Sequence, residues 1–178
     1  NEVKQSNFKL KLYEIFKKFF DKKLKILVKE KGKLGEKAVL SGHTKSMNYL
    51  QIHHCYALKH IFGEAAEIFD LNFDDNEWSL EDIARCGIIQ FDELKNFSFL
   101  HETFAEFLVA DFIGKFLTSR KYLRSEFVEL LMKICIDEKY QIVQICLNDF
   151  LQNFNDFSFR KVKFEVENFE VLSNLMMN

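Results

Sequence analysis

The chain has 178 residues, of which 48% are apolar and 29% charged, and its net charge is −2. That composition excludes a disordered chain, and the length allows roughly two-thirds of the unfolded surface to be buried. There is no proline and there are 21 phenylalanines, so the commonest helix breaker is missing and bulky core anchors are plentiful.

Charge is unevenly placed. Residues 1–40 hold twelve lysines against five acids, and Glu64 to Asp82 holds eight acids and no base. The basic start reads as the solvated face of a lysine-rich helix, and nucleic acid is not the expected partner. The acidic stretch lacks the glycine and terminal glutamate spacing of a calcium loop. Cys55, Cys86, Cys135 and Cys146 form no CxxC pair and sit among apolar neighbours. Free buried thiols of a reducing compartment are expected, hence a cytoplasmic protein. No apolar run approaches the ~20 residues of a membrane span. A chain opening on Asn1 is expected to be a piece of a longer one.

In chain order, residues 1–30 are read as an amphipathic helix. Leu12, Ile15, Phe16, Phe19, Phe20, Leu24 and Leu27 recur at helical spacing, with lysines opposite. Residues 31–45 hold three glycines and little periodicity, and are read as a linker. Residues 46–62 return to a helical period through Leu50, Ile52, Cys55, Leu58, Ile61 and Phe62, with Gly63 as the stop.

Ser79 caps a short helix, with Asp82 at the capping-box position and Gly87 at its end. Ile88–Phe91 and Phe97–Leu100 are β-prone runs joined by Asp92–Asn96, which predicts a hairpin. A short helix followed by a hairpin is the ending of a winged-helix unit. Residues 102–118 are apolar on nearly every side, as in a helix buried within a larger protein. Helices are expected from Ser125 to Ile136 and from Glu138 to Phe150, with an extended segment within 157–178. The expected class is therefore mainly α, with a winged-helix-like unit over 46–101 and a truncated helical domain over 102–178.

Catalytic motifs fail on residue type. HETFAEF has Ala105 where the zinc motif HExxH requires histidine. His53, His54 and Cys55 are adjacent and diverge by ~100° on a helix, so they cannot chelate together. His53 and His60 share a face, but two ligands do not make a site. Gly35 is followed by Glu36, not by the Lys and Ser or Thr of a P-loop. No catalytic residue, metal ligand or cofactor is expected in this segment.

The run FSFLHETFAEFLVADFI at 97–113 is specific enough to compare. It resembles the end of the winged helix and the start of the second helical domain in NACHT-type signalling ATPases, the STAND group that includes the NOD-like receptors of innate immunity. The family pattern is an aromatic-rich strand, a histidine, and a helix reading roughly T-F-Q-E-F-L-A-A. Phe97, Phe99, Leu100, His101, Thr103, Phe104, Glu106, Phe107, Leu108 and Ala110 match it. Ala105 and Asp111 depart from it, and TFAEF is similar to arthropod NACHT–ankyrin proteins. LYEIFKKFFDKKLKILVKEKG at 12–32 and Cys86-Gly87-Ile88-Ile89 resemble the family upstream of the wing.

The resemblance implies that His101 contacts the β-phosphate of ADP on a nucleotide-binding domain of the parent protein, locking it closed. It also implies ADP or ATP with magnesium there, self-assembly, and a junction core of Phe97, Phe99, Phe104, Phe107 and Leu108. On the residues alone, His101 reads as a cap or packing group at a strand–helix junction. The other reading of the chain is a free-standing helical protein-binding module with a basic docking helix.

Overall fold

The computed structural model describes residues 11–32, 42–69, 79–119, 122–123, 125–152 and 163–164. Helices α1 (Leu12–Gly32) and α2 (Gly42–Phe62) are followed by a 3-10 turn (Gly63–Phe69) and the short helix α3 (Leu80–Ala84). Strands β1 (Ile89–Phe91) and β2 (Phe97–Phe99) lead into α4 (Glu102–Ser119). After β3 (Tyr122–Leu123) come α5 (Ser125–Ile136), a 3-10 turn (Glu138–Tyr140) and α6 (Gln141–Gln152), with β4 (Lys163–Phe164) beyond them. The protein is mainly helical, as its periodicity predicts.

Local chemistry sets the boundaries. Gly63 turns at φ +59°, which ends α2 and starts the tighter turn. Ser79 Oγ accepts the Asp82 N–H at 3.1 Å and caps α3. β1 and β2 pair antiparallel, with Ile89 opposite Phe99. Their loop closes with the Lys95 N–H donating to the Asp92 carbonyl, and Lys95 takes φ 65°. Helices α1 and α2 run into the segment read as a linker from both sides, to Gly32 and from Gly42. The middle of that linker, the acidic 70–78 stretch and most of the 157–178 segment lie outside the described residues. Of that last segment, Lys163 and Phe164 pair in parallel with Tyr122 and Leu123.

α4 is the centre. Ala105, Phe107, Leu108, Val109, Ala110, Ile113 and Leu117 are buried on all its sides. The covering comes from this chain, through α6, α2 and α1. One hydrophobic cluster includes Phe20 of α1, Leu58 of α2, Ile89 of β1, Leu108 of α4 and Val143 of α6. The cluster includes residues on both sides of residue 101. Phe69 of the 3-10 turn joins this core through the rings of Phe112, Phe116 and Phe127, at 5.1–6.3 Å.

Gly114 lets α4 and α6 approach. A Cβ there would lie 2.5–2.8 Å from three atoms of the Phe150 ring. Phe150 is itself buried and packs edge-on against Tyr13 at 5.2 Å, so it has little room to yield. Gly114→Ala gains about 1 kcal/mol of helix propensity but incurs an overpacking cost of about 1–3 kcal/mol. Urea unfolding is expected to show a net loss of stability, and a gain would mean that the helices can move apart freely.

Candidate functional site

The junction singled out by the sequence lies between β2 and α4. The Leu100 N–H donates to the Ile88 carbonyl at 2.8 Å, which extends the hairpin to the helix start. His101 then caps α4 twice: its carbonyl accepts the Phe104 N–H at 3.0 Å, and its Nδ1 accepts the Thr103 N–H at 3.2 Å. An Nδ1 that accepts leaves the ring proton on Nε2. His101 is exposed, and its Nε2 has no hydrogen-bond partner among the described residues. Two carboxylates of the same helix, Glu102 and Glu106, follow it in sequence. Glu102 Oε2 lies 2.7 Å from His60 Nε2. The Glu106 carboxyl is pushed up by partial burial and by the Glu102 charge, against the opposing effect of His101.

The junction aromatics divide between two helices. Phe97 is half-buried and meets Tyr56 of α2 edge-on at 4.7 Å, and Phe99 is buried 5.2 Å from the His60 ring. Phe107 and Leu108 are fully buried, with Phe107 against Tyr13, Phe16 and Phe20 of α1. Phe104 is only half-buried: its ring stacks on Phe19, on the more open side of α1, at 5.4 Å.

A polar cluster that sequence reading missed lies inside the core. Asp111 is 1% exposed. Its Oδ1 accepts the Tyr13 hydroxyl at 2.6 Å, and its Oδ2 accepts His54 Nε2 at 2.9 Å and Lys115 Nζ at 2.6 Å. Burial opposes the charge, but the hydrogen bond from His54 and the charges and donors around it hold the carboxyl well below the usual carboxylate range. Burial pushes His54 down, against the pull of Asp111, so a neutral imidazole donates its Nε2–H. The Tyr13 N–H also donates to Asp149 Oδ2 at 3.4 Å, so the cluster joins α1, α2, α4 and α6. One acid in the run FLVADFIGKF, with Lys115 four residues on, was the signal available. With both His54 and Asp111 closed to solvent, the cluster fastens helices rather than meeting a substrate.

The remaining candidates lie apart from one another. His53 is fully buried, its Nδ1 against the Tyr49 carbonyl at 2.9 Å, whereas His60 sits at the exposed end of α2. The two histidines expected to share a face thus have separate partners. Among the described residues no group of three or more His, Cys, Asp or Glu could hold a metal. Burial pushes the thiols of Cys86 and Cys146 up to about 11 and about 12, so they stay protonated at neutral pH. A groove of about 460 Å³ is lined by Cys55, Leu58, Lys59, Glu64, Glu67 and Phe97, among others, and does not include His101.

No protein-family model, curated protein or solved structure matches the chain. Among the described residues no helix is long and apolar enough to cross a membrane.

Asp111→Leu strands the His54 N–H and the Tyr13 hydroxyl in the core. It is expected to cost about 3–5 kcal/mol in urea unfolding, with much of the loss recovered when Tyr13→Phe and His54→Leu are added. Equal stability of the single and triple variants would show that the cluster is not a coupled unit.

Stability should also fall in acid. Burial pushes His53 from 6.5 down to about 4, and His54 moves the same way. Between those values the unfolded chain binds more protons, so stability is full above about pH 6.5 and declines as pH falls towards 4. For His53 alone the loss reaches about 3 kcal/mol. The depressed Asp111 adds a further loss below its unfolded value of ~4. His53→Asn should flatten the slope between pH 6.5 and 4, and an unchanged slope would assign it to other groups.

Proposed function

We propose that this chain is a regulatory segment of a NACHT-type signalling ATPase, with no catalytic site of its own. In this reading His101 donates a hydrogen bond to the β-phosphate of ADP held by the nucleotide-binding domain of the longer protein. ADP, and ATP with magnesium, belong to that domain. The segment's partners are that domain and further copies of the parent, in the cytoplasm.

The observation that carries the reading is the capping geometry of His101. Because its Nδ1 accepts the Thr103 N–H, the exposed Nε2 is the proton-bearing atom, a fixed donor at the first turn of an 18-residue helix. Anions are favoured at such a terminus, where the helix dipole adds to the donor. Glu102 would oppose a phosphate, and its carboxylate is turned to His60 Nε2 at 2.7 Å. The match of 97–113 to the family pattern, with departures at Ala105 and Asp111, supports the same reading.

A charged hydrogen bond of this kind contributes about 1.5–3 kcal/mol, enough to shift a closed–open equilibrium roughly 10- to 150-fold. In the full-length protein, His101→Leu should speed ADP release and raise the assembled fraction by a factor in that range, with the fold of the segment retained. An ADP off-rate and oligomer fraction equal to wild type would leave His101 as a cap and favour the free-standing binding module.

A further inference from the structure

The first helix carries two apolar stripes, and only one of them is used by the core. Tyr13 and Phe20 are buried, with Phe16 and Leu24 packed beside them. Ile15, Phe19 and Ile26 remain 41%, 37% and 44% exposed, although the sequence reading placed Ile15 and Phe19 on the buried face. Positions 15, 19, 22 and 26 follow each other by four, three and four residues, the spacing of a two-helix seam. Lys22 occupies the third of them. The seam is about 16 Å long at ~1.5 Å per residue. Phe104 of α4 extends it sideways through its stack on Phe19.

Lysines flank the seam. On one side Lys18 and Lys25 are exposed, with Glu14 one turn before Lys18, and on the other Lys23 lies over the Phe19 ring at 5.6 Å. The nearest acid–base pair, Lys17 with Asp21 at 2.6 Å, satisfies itself. Lys18, Lys22 and Lys25 have no ion pair among the described residues.

We propose that this face docks an acidic amphipathic helix of another polypeptide, whose apolar ridge fits between Ile15, Phe19 and Ile26 and whose flanking carboxylates meet Lys18, Lys23 and Lys25. A second copy of the chain would set lysine against lysine at the flanks and at Lys22, which like-charge repulsion disfavours. An anionic membrane is disfavoured by shape: each apolar side chain is more than half covered by its own protein, leaving a flush ridge rather than a face that inserts. The inference stands independently of the His101 lock.

The test uses the 178-residue chain and three probes. They are a synthetic heptad peptide with leucine at its seam and glutamate at its flanks, the same peptide with lysine for glutamate, and vesicles of mixed phosphatidylcholine and phosphatidylserine. The chain is expected to bind the acidic peptide at least ~10-fold more tightly than the basic one, with an affinity that falls as salt rises. Lys18→Glu with Lys25→Glu should reverse the preference. Ile15→Ser with Ile26→Ser should weaken binding of the acidic peptide by ~10-fold or more, with an unchanged circular dichroism spectrum. Equal affinity for both peptides, binding of vesicles but not of the acidic peptide, or self-association abolished by the Ile15 and Ile26 changes would each overturn the proposal.

Discussion

Everything else in this protein depends on the burial of α4 on all sides. A helix whose middle is buried on every side must satisfy packing in most directions, so its neighbours are constrained by its side chains. Gly114 is a point of close approach, where the Phe150 ring occupies the space of a side chain. Phe107 fills the gap to α1 through three aromatic contacts. Such interiors are close-packed, and a change of one methylene is felt.

Asp111 is the exception inside that helix, and it turns a desolvation cost into specificity. Apolar contacts tolerate small slides, but a buried carboxylate with donors from α1, α2 and its own helix does not. Tyr13 and His54 must both arrive in place before the charge is satisfied. The cluster thus ties three helices to one buried carboxylate.

The same scaffold presents two outward features on opposite kinds of chemistry. At the start of α4, the His101 ring completes the helix cap and keeps a single donor facing outward. Along α1, lysines border an apolar ridge that the core does not need. Both features sit on rigid helices packed to the centre, and Phe104 touches both, since it lies in the first turn of α4 and stacks on Phe19.

Local structure was legible in the sequence wherever short-range rules decide it. Ser79 and Gly63 marked helix ends, Asp92–Asn96 marked the hairpin loop, and the all-round apolar run at 102–118 marked the buried helix, because caps, turns and periods act within a few residues. Partnerships between distant residues were not legible. His54 and Tyr13 lie 57 and 98 positions from Asp111, and nothing local shows that they meet it. Nor could the period of α1 tell that Tyr13 and Phe20 would be covered while Ile15 and Phe19 stayed open. An apolar stripe records only that a face can be buried, and how much of it is buried depends on where the neighbouring helices lie. The sequence by itself determined the helices, the hairpin and the central helix. The tertiary structure alone decided which charges pair inside and which apolar face is left open, because both depend on the relative placement of helices far apart in the chain.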